Sequence, residues 1–300
     1  MEKVTVLMST YNGENYLIEQ INSVLNQKDV EIQLIVRDDG SGDDTISILE
    51  EYEKLGKLTL IKGNNHGYIK SFMELIKNCG NSEYYALCDQ DDVWDEDKLC
   101  RSLFFLSQNS LIPSLYCSNA RLVDVNLQFI KNENKSPIVS LESAMIKNFA
   151  TGCTVIYNKK LREYINLAND DIYISSHDSW LCRVCLAVGG NVFFDSESHI
   201  NYRQHGKNCV GAPSTKIDLI RSRFLKLVNN REHSRRKTAD NLIKYYDEYL
   251  SDTDRQFILL VSNYHCSLKS KIKLLLMRNI SCGNKNDDIQ FKIAVLFNWV

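Results

Sequence analysis

The chain has 300 residues, 44% of them hydrophobic and 25% charged, and a net charge of −2, an ordinary globular composition with enough apolar mass for one large domain or a domain plus an appendage. No apolar run approaches the ~18 to 20 residues of a membrane-spanning helix, and Met1-Glu2-Lys3-Val4 enters a strand-like pattern with no signal-peptide core, so a cytoplasmic address is expected. The ten cysteines are irregularly spaced, with Cys88, Cys117 and Cys153 inside apolar runs, which fits reduced core thiols and no disulfides.

Strand-like and helix-like runs alternate over the first half. Residues 4–9 predict a strand; residues 15–27 predict a helix with Leu17, Ile21, Val24 and Leu25 on one face; residues 32–36 return to a strand. Thr45, Ile48, Leu49 and Tyr52 mark a second helix, 58–61 a third strand, 69–76 a third helix and 84–88 a fourth strand. Such alternation means a mostly parallel sheet with helices on both faces, an α/β class. Ligands in these sheets lie beyond the carboxyl ends of the strands, where Thr10-Tyr11-Asn12, Asp38-Asp39 and residues 89–92 all fall. A helix is also expected over 98–107. Beyond residue 110 the pattern weakens, with strands suggested at 115–117, 121–130 and 154–157 and helices at 141–147 and 178–188.

Charge divides the chain. Residues 1–213 carry about 20 Lys and Arg against 29 Asp and Glu, and residues 214–300 about 16 against 9, so a basic tail is expected to start near Gly211-Ala212-Pro213-Ser214. Within it, residues 216–231 and 267–278 mix basic and apolar positions as interfacial helices do. The alternative is a helix that packs its apolar side on the core and leaves its lysines in water. No nucleic-acid-binding module accompanies the charge.

The most informative run is Asp89-Gln90-Asp91-Asp92-Val93-Trp94. Three carboxylates emerge together where a buried strand ends, and carboxylate oxygens are hard ligands for Mg²⁺ or Mn²⁺ that leave coordination positions for a substrate's phosphates. A calcium loop would need an oxygen ligand and a glycine where Val93 and Trp94 stand. Asp95, Glu96 and Asp97 read as first-turn charges of the following helix. Cys182-Arg183-Val184-Cys185 lacks a second pair and reads as two buried thiols on a helix. Together the acidic clusters suggest a metal-assisted enzyme acting on a nucleotide-activated substrate.

Ser9-Thr10-Tyr11-Asn12-Gly13, Val36-Arg37-Asp38-Asp39-Gly40-Ser41, Asp89-Gln90-Asp91-Asp92-Val93-Trp94, Thr151-Gly152-Cys153-Thr154, His177-Asp178-Ser179-Trp180-Leu181 and Tyr202-Arg203-Gln204-His205-Gly206 follow one another in the order found in the family 2 inverting glycosyltransferases of the GT-A fold. The chain resembles that family over residues 3–210, and within it the bacterial rhamnosyltransferases of surface polysaccharide synthesis. The resemblance implies a GT-A domain over 1–213, divided into a nucleotide-sugar-binding half (1–110) and an acceptor-side half (111–213), with a helical tail over 214–300. It implies a single displacement at the anomeric carbon, in which one base deprotonates an acceptor hydroxyl while a nucleoside diphosphate leaves from the opposite face.

The resemblance also assigns residues. Asp91 is the metal ligand, with Asp89 in the same metal–diphosphate site and His205 completing it; Mn²⁺ or Mg²⁺ would neutralise the leaving diphosphate. Thr10, Tyr11, Asn12, Asp39, Lys70, Gln90 and Asp92 are expected around the nucleotide sugar, with Asp39 accepting the imide N–H that uracil and thymine share. That implies a UDP- or dTDP-sugar donor and a growing glycan acceptor, lipid-linked at the inner membrane face. Asp178 is the expected general base, although the family usually has Glu-Asp where this chain has His177-Asp178. Gly152, Trp180, Arg203 and Gln204 are expected near the acceptor or diphosphate, with burial as the alternative for Trp180 and a simple turn for Gly152. Two other readings differ in class. A sugar-1-phosphate nucleotidyltransferase should carry a Gly-rich basic loop after the first strand, which residues 10–15 are not; a non-catalytic sugar-nucleotide or glycan-binding module would not need Asp91 and Asp178 intact.

Overall fold

The computed structural model describes residues 1–205, 233–277 and 280–300. The boundary expected near residues 211–214 and the basic segment 216–231 therefore lie outside the described residues.

Four parallel strands form the amino-terminal half: β1 (Glu2–Thr10), β2 (Val30–Asp38), β3 (Thr59–Lys62) and β4 (Tyr84–Cys88), alternating with α1 (Leu17–Leu25), α2 (Thr45–Lys54) and α3 (Tyr68–Asn78). Every residue of β4 is buried, the continuous apolar run that a strand covered on both faces requires. In α1, Leu17, Ile21 and Val24 are buried at helical spacing and Ile18 faces out, so the apolar stripe sets which side of the helix meets the sheet.

The second half makes the sheet mixed. A two-residue strand β5 (Val93–Trp94) and helix α4 (Lys98–Leu106) precede β6 (Ser114–Val123), β7 (Phe129–Asn132), α5 (Leu141–Ile146), a 3₁₀ turn (Gly152–Thr154), β8 (Ile156–Asn158), α6 (Lys159–Ile165), α7 (His177–Ala187) and β9 (Asn191–Arg203). The strand order is β3-β2-β1-β4-β8-β6-β9-β5, with β7 beside β6; β8 runs antiparallel to β4 and β6, and β9 runs parallel to β6. Two expectations are corrected here. Residues 115–117 and 121–130 are not separate strands, because β6 runs unbroken to Val123 and then turns where the Asp124 side chain accepts from the Asn126 and Gln128 N–H groups. The thirteen-residue β9 was not anticipated: its alternation is blurred by Asp195, Ser196, Glu197 and Ser198.

Beyond residue 233 come α8 (Ser234–Tyr246), α9 (Asp252–Asn263), α10 (Leu268–Leu276) and α11 (Lys285–Leu296). Leu242, Tyr246, Phe257, Ile258, Val261 and Phe291 belong to the same apolar cluster as Phe72, Leu161, Trp180 and Leu181. The opposite face of the sheet has its own cluster, built from α1, α4 and the strands, with Leu17, Ile21, Leu99 and Leu103. Every described cysteine is a free thiol, and Cys182 and Cys185 are buried on α7.

Candidate active site

The carboxyl ends of β1, β2 and β4 deliver the three polar clusters to one edge. Thr10 and Asp38 are register partners, and Thr10 Oγ1 donates to Asp38 Oδ2 at 3.0 Å. Asp38 Oδ1 accepts from the Gly40 and Ser41 N–H groups at 3.0 and 2.8 Å, a side-chain turn that closes the β2 loop and takes Gly40 through φ +83°. The loops are tied together: the Asn12 N–H donates to Ser41 Oγ at 2.9 Å, and the Gly42 N–H to Asn12 Oδ1 at 2.8 Å. Asn12 sits at φ +48°, a left-handed conformation that asparagine tolerates better than most residues. Tyr11 projects from this frame and is 47% exposed.

Gln90 closes the frame from the acidic loop. Its Oε1 accepts from the Tyr11 N–H at 2.8 Å and its Nε2 donates to the Tyr11 carbonyl at 3.1 Å, and a Cβ on Gly13 would fall 2.3 Å from Oε1. Gln90 thus straps the Tyr11 loop through both ends of its amide. Asp39 is 2% exposed; it pairs with the Arg37 guanidinium and accepts from the His66 and Gly67 N–H groups at 3.2 and 2.9 Å. Lys70 is exposed on α3 and lines a cavity of about 590 Å³ between α3 and residues 169–174.

The acidic loop separates into three environments. Asp91 Oδ2 lies 2.7 Å from His205 Nε2, with the His205 ring stacked on Tyr16 at 5.1 Å. A carboxylate oxygen and an imidazole nitrogen converging from different elements fit a borderline divalent cation such as Mn²⁺. Asp89 does not join them at ligand spacing. Among the described residues its carboxylate groups with Asp92 and Cys153, the ligand atoms lying within 4.8 Å of one another. Asp92 is wholly buried; Oδ1 accepts from the Arg203 N–H at 3.1 Å while Oδ2 has no hydrogen-bond partner. Burial, with the Asp91 and Asp89 charges added, pushes the Asp92 carboxyl well above its usual range, and burial pushes the Cys153 thiol up in the same way. Asp92 and Cys153 are buried side by side beneath the loop, and Asp92 is 0% exposed. Burial, then the charges of Asp91 and Asp178, raise Asp89 to about 7.

Beneath this loop lie one residue that was not anticipated as functional, Lys98, and one whose place differs from the expected one, Arg203. Lys98, the first residue of α4, is 1% exposed with Nζ 3.4 Å above the Trp94 ring, and burial lowers it to about 8, with Cys153, Cys88, Asp92 and Asp89 pulling the other way. A lysine opening a helix reads as solvated, so only the paired Trp94 offered a signal. Arg203 was expected at the diphosphate or acceptor but is 2% exposed: its Nε donates to the Asp91 carbonyl at 2.8 Å, its guanidinium lies 4.6 Å over the Tyr16 ring, and it pairs with Glu19. It clamps the acidic loop from behind. Gln204 continues the strand edge, its N–H donating to the Val123 carbonyl at 2.8 Å.

Across the cleft, α7 begins with His177 and Asp178 behind the N-cap Ser176. Asp178 accepts from Asn148 Nδ2 at 3.0 Å and from the Ser179 N–H at 2.6 Å, and the first turn of a helix favours its negative charge. Its neighbour is different. His177 is 5% exposed, lies flat on Phe72 with ring centroids 4.1 Å apart, and has no hydrogen bond at either ring nitrogen; burial lowers its pKa. A Cβ on Gly152 would sit 3.0 Å from His177 Nε2 and 3.8 Å from Asp178 Cβ, so Gly152 is small because the start of α7 packs against it. Trp180 is 2% exposed and packs against Tyr246 of α8; the burial alternative describes it and no sugar can stack there.

The sequence matches the profile of "Glycosyl transferase family 2" over residues 5–165. It is 30% identical over 221 residues to the "dTDP-rhamnosyl transferase RfbG" of Shigella flexneri, covering 68% of this chain and 74% of that one, and 35% identical over 216 residues to an uncharacterized glycosyltransferase of Haemophilus influenzae, covering 68% and 66%. Among solved structures it is similar to TarS 1-349 of S. aureus in complex with UDP-GlcNAc, with a TM-score of 0.61 at 18% identity over 99% of this chain and 80% of that one. It is similar as well to the mannosyltransferase PcManGT of Pyrobaculum calidifontis in complex with GDP-Man and Mn²⁺, with a TM-score of 0.54 at 15% identity over 98% and 87%. At those identities the likeness shows the fold, which is GT-A.

Proposed function

The chain belongs to glycosyl transferase family 2 and is a glycosyltransferase; from that premise we propose that it transfers rhamnose, with inversion, from dTDP-rhamnose to a growing, lipid-linked cell-surface glycan. The observation that carries the reading is the meeting of Asp91 Oδ2 and His205 Nε2 at 2.7 Å beyond the carboxyl end of β4, where a metal–diphosphate site is expected; the charges of Asp91 and Asp178 both raise the Asp89 carboxyl, which agrees with a shared cleft. The donor assignment rests on the likeness to the Shigella dTDP-rhamnosyl transferase, and a UDP-sugar is the competing donor.

In this reading Asp91 and His205 would hold Mn²⁺ or Mg²⁺, with Asp89 set apart from them beside Asp92 and Cys153; when bound, the cation supplies positive charge against the departing diphosphate. Tyr11 flanks the base or ribose, on the loop that Thr10, Asn12 and Gln90 hold in place. Asp39, buried with one oxygen on Arg37 and the other on the His66 and Gly67 N–H groups, orders the loop against which the base would lie instead of meeting its imide N–H directly, and Lys70 reaches toward the diphosphate from α3. Asp178 takes the proton of the acceptor hydroxyl: its Oδ2 is oriented by Asn148, while His177, buried and stacked on Phe72, keeps to packing. Gly152 lets this helix start approach the acceptor.

No helix among the described residues is long and apolar enough to cross a membrane. An inner-face location is supported instead by α10 and α11, where Leu268, Ile272, Leu276, Ile289 and Ile293 are exposed beside Lys269, Lys271, Lys273 and Lys292, the mixture that seats on an anionic lipid surface. The test is thermal stabilisation by dTDP, UDP, GDP and ADP, each with and without Mn²⁺. Selective, Mn²⁺-dependent stabilisation by dTDP is expected; a preference for UDP would replace the donor, and no response to any of the four would overturn the site.

A further inference from the structure

A second, smaller cavity of about 220 Å³ is lined by Lys147, Asn148, Arg183, Arg235, Asp287 and Gln290 among others. We propose that it binds a phosphoryl anion, and that in the working enzyme this is the phosphate or diphosphate joining the acceptor glycan to its lipid carrier; the second part rests on the transferase reading above.

Arg183 is the core of the argument. It is 7% exposed, its Nε donates to the Ala144 carbonyl at 3.0 Å, and its two terminal amino groups make no hydrogen bond among the described residues. A guanidinium carries five donors in a rigid fork matched to phosphate oxygens, and the terminal amino groups of Arg183, which are not among the fully buried unpartnered atoms, remain accessible in the wall of the cavity. Arg235 meets it from α8, fixed by donation to the Met145 and Ile146 carbonyls at 3.0 and 2.9 Å. The two like charges oppose each other: burial first, then Arg235, lowers Arg183 to about 10. Lys147 adds a third cation, and the one carboxylate lining the cavity, Asp287, is bonded to it at 2.6 Å. Among the lining residues the cations outnumber the carboxylates by two, while Asp178, beyond Asn148, is a further negative charge that acts on Arg183. Ser234 and Arg235 also bring the first turn of α8 to the same wall, and its N-cap, His233, supplies no side-chain hydrogen bond to the open N–H groups, which adds to the attraction for an anion.

Size and place choose among anions. The volume is below the ~300 to 1,000 Å³ typical of a site for a whole organic ligand, so it suits a phosphoryl headgroup and not a nucleotide. Asn148 lines the cavity and donates to Asp178, which puts the anion one side chain from the base that would take the acceptor's proton. α11, which supplies Asp287 and Gln290, also carries the exposed Ile289 and Ile293, apolar surface beside the headgroup for the carrier's chain.

The test needs neither metal nor sugar nucleotide. Thermal stability is measured in EDTA with inorganic pyrophosphate or farnesyl diphosphate, for the wild type, Asp91→Ala, Arg183→Gln and Gln290→Glu. Both ligands should stabilise the wild type and Asp91→Ala alike, and farnesyl diphosphate should act at about tenfold lower concentration. Arg183→Gln should abolish the response; if that variant does not fold, Gln290→Glu, which places a carboxylate at the cavity wall, must still weaken it. No stabilisation at millimolar pyrophosphate, or stabilisation lost in Asp91→Ala and kept in Gln290→Glu, overturns the site. Equal action of the two ligands overturns the lipid-linked assignment and leaves a site for free phosphate. Since the Mn²⁺-dependent response to dTDP is a separate experiment, failure here and failure of the donor reading cannot be confused.

Discussion

The two faces of the sheet are covered by different means. On one, α1, α2 and α4 come from the first 106 residues and close a core with the strands they connect. On the other, α3, α5, α6 and α7 are themselves covered by α8 to α11, whose Leu242, Tyr246, Phe257, Ile258 and Val261 are all fully buried. The donor-side frame is thus built by short-range connections, whereas the helix that carries Asp178 depends on residues from the far end of the chain. The lesson concerns the basic tail: a segment whose charge sets it apart need not be a separate body, because its apolar side can belong to the main core.

Removing everything after residue 232 is the strongest way to break that contrast. Each fully buried large apolar side chain contributes ~1.5 to 3 kcal/mol, so losing those five alone removes on the order of 10 kcal/mol, comparable with the whole stability of a domain. The truncated chain should aggregate or lose its cooperative thermal transition. A soluble fragment that still binds dTDP with Mn²⁺ would show the tail to be an appendage after all.

Single substitutions sharpen the contrast chemically. Asp178→Asn should leave Mn²⁺-dependent nucleotide stabilisation unchanged and lower kcat by ~10²- to 10⁴-fold, the range for removing a general base; an active variant would move the base elsewhere. Asp91→Ala should do the reverse first, weakening the nucleotide response in Mn²⁺ more than it lowers the metal-free melting temperature, since it removes the side-chain bond to His205 and keeps the backbone carbonyl's bond from Arg203. Unchanged Mn²⁺-dependent affinity would remove Asp91 from the metal site.

The first half of the molecule was the readable half. β4 lies where its unbroken apolar run places it, and α1 and α3 fall within two residues of their periodic stripes, because in a covered parallel sheet local pattern and burial agree. The motif loops were legible as positions and less so as roles. In sequence Asp89-Gln90-Asp91-Asp92 reads as three carboxylates and an amide in one run, with Asp91 and His205 assigned to the metal through the resemblance; in the fold Gln90 straps Tyr11, Asp92 is buried against Cys153, and Asp91 meets His205, which lies just past β9. Which of four adjacent polar residues faces the cleft depends on that long-range pairing, and no local signal encodes it. Arg183 was hidden for the same reason: on α7 it sits between two buried cysteines, and its partner Arg235 arrives from the tail.

The smallest expected effect is a pH dependence, and its sign is informative. The folded-state pKa of Asp89 stands at about 7 against an ordinary 3.8, so between those values the folded protein holds a proton that the unfolded chain has released. Without metal, stability should therefore fall as pH rises from about 4 through about 7, with Asp92, raised in the same direction, adding to the slope. A divalent cation removes the reason for the proton, so Mn²⁺ should bind more tightly as pH rises across the same window and stabilise most at its upper end. Melting temperatures from pH 5 to 8, in EDTA and in Mn²⁺, for wild type and Asp89→Asn, check this. The substitution should flatten the metal-free slope and leave the remainder to Asp92. An undiminished slope in Asp89→Asn would mean that Asp89 is already ionised in the free enzyme, and that the carboxylates of the cleft are not close enough to compete for charge.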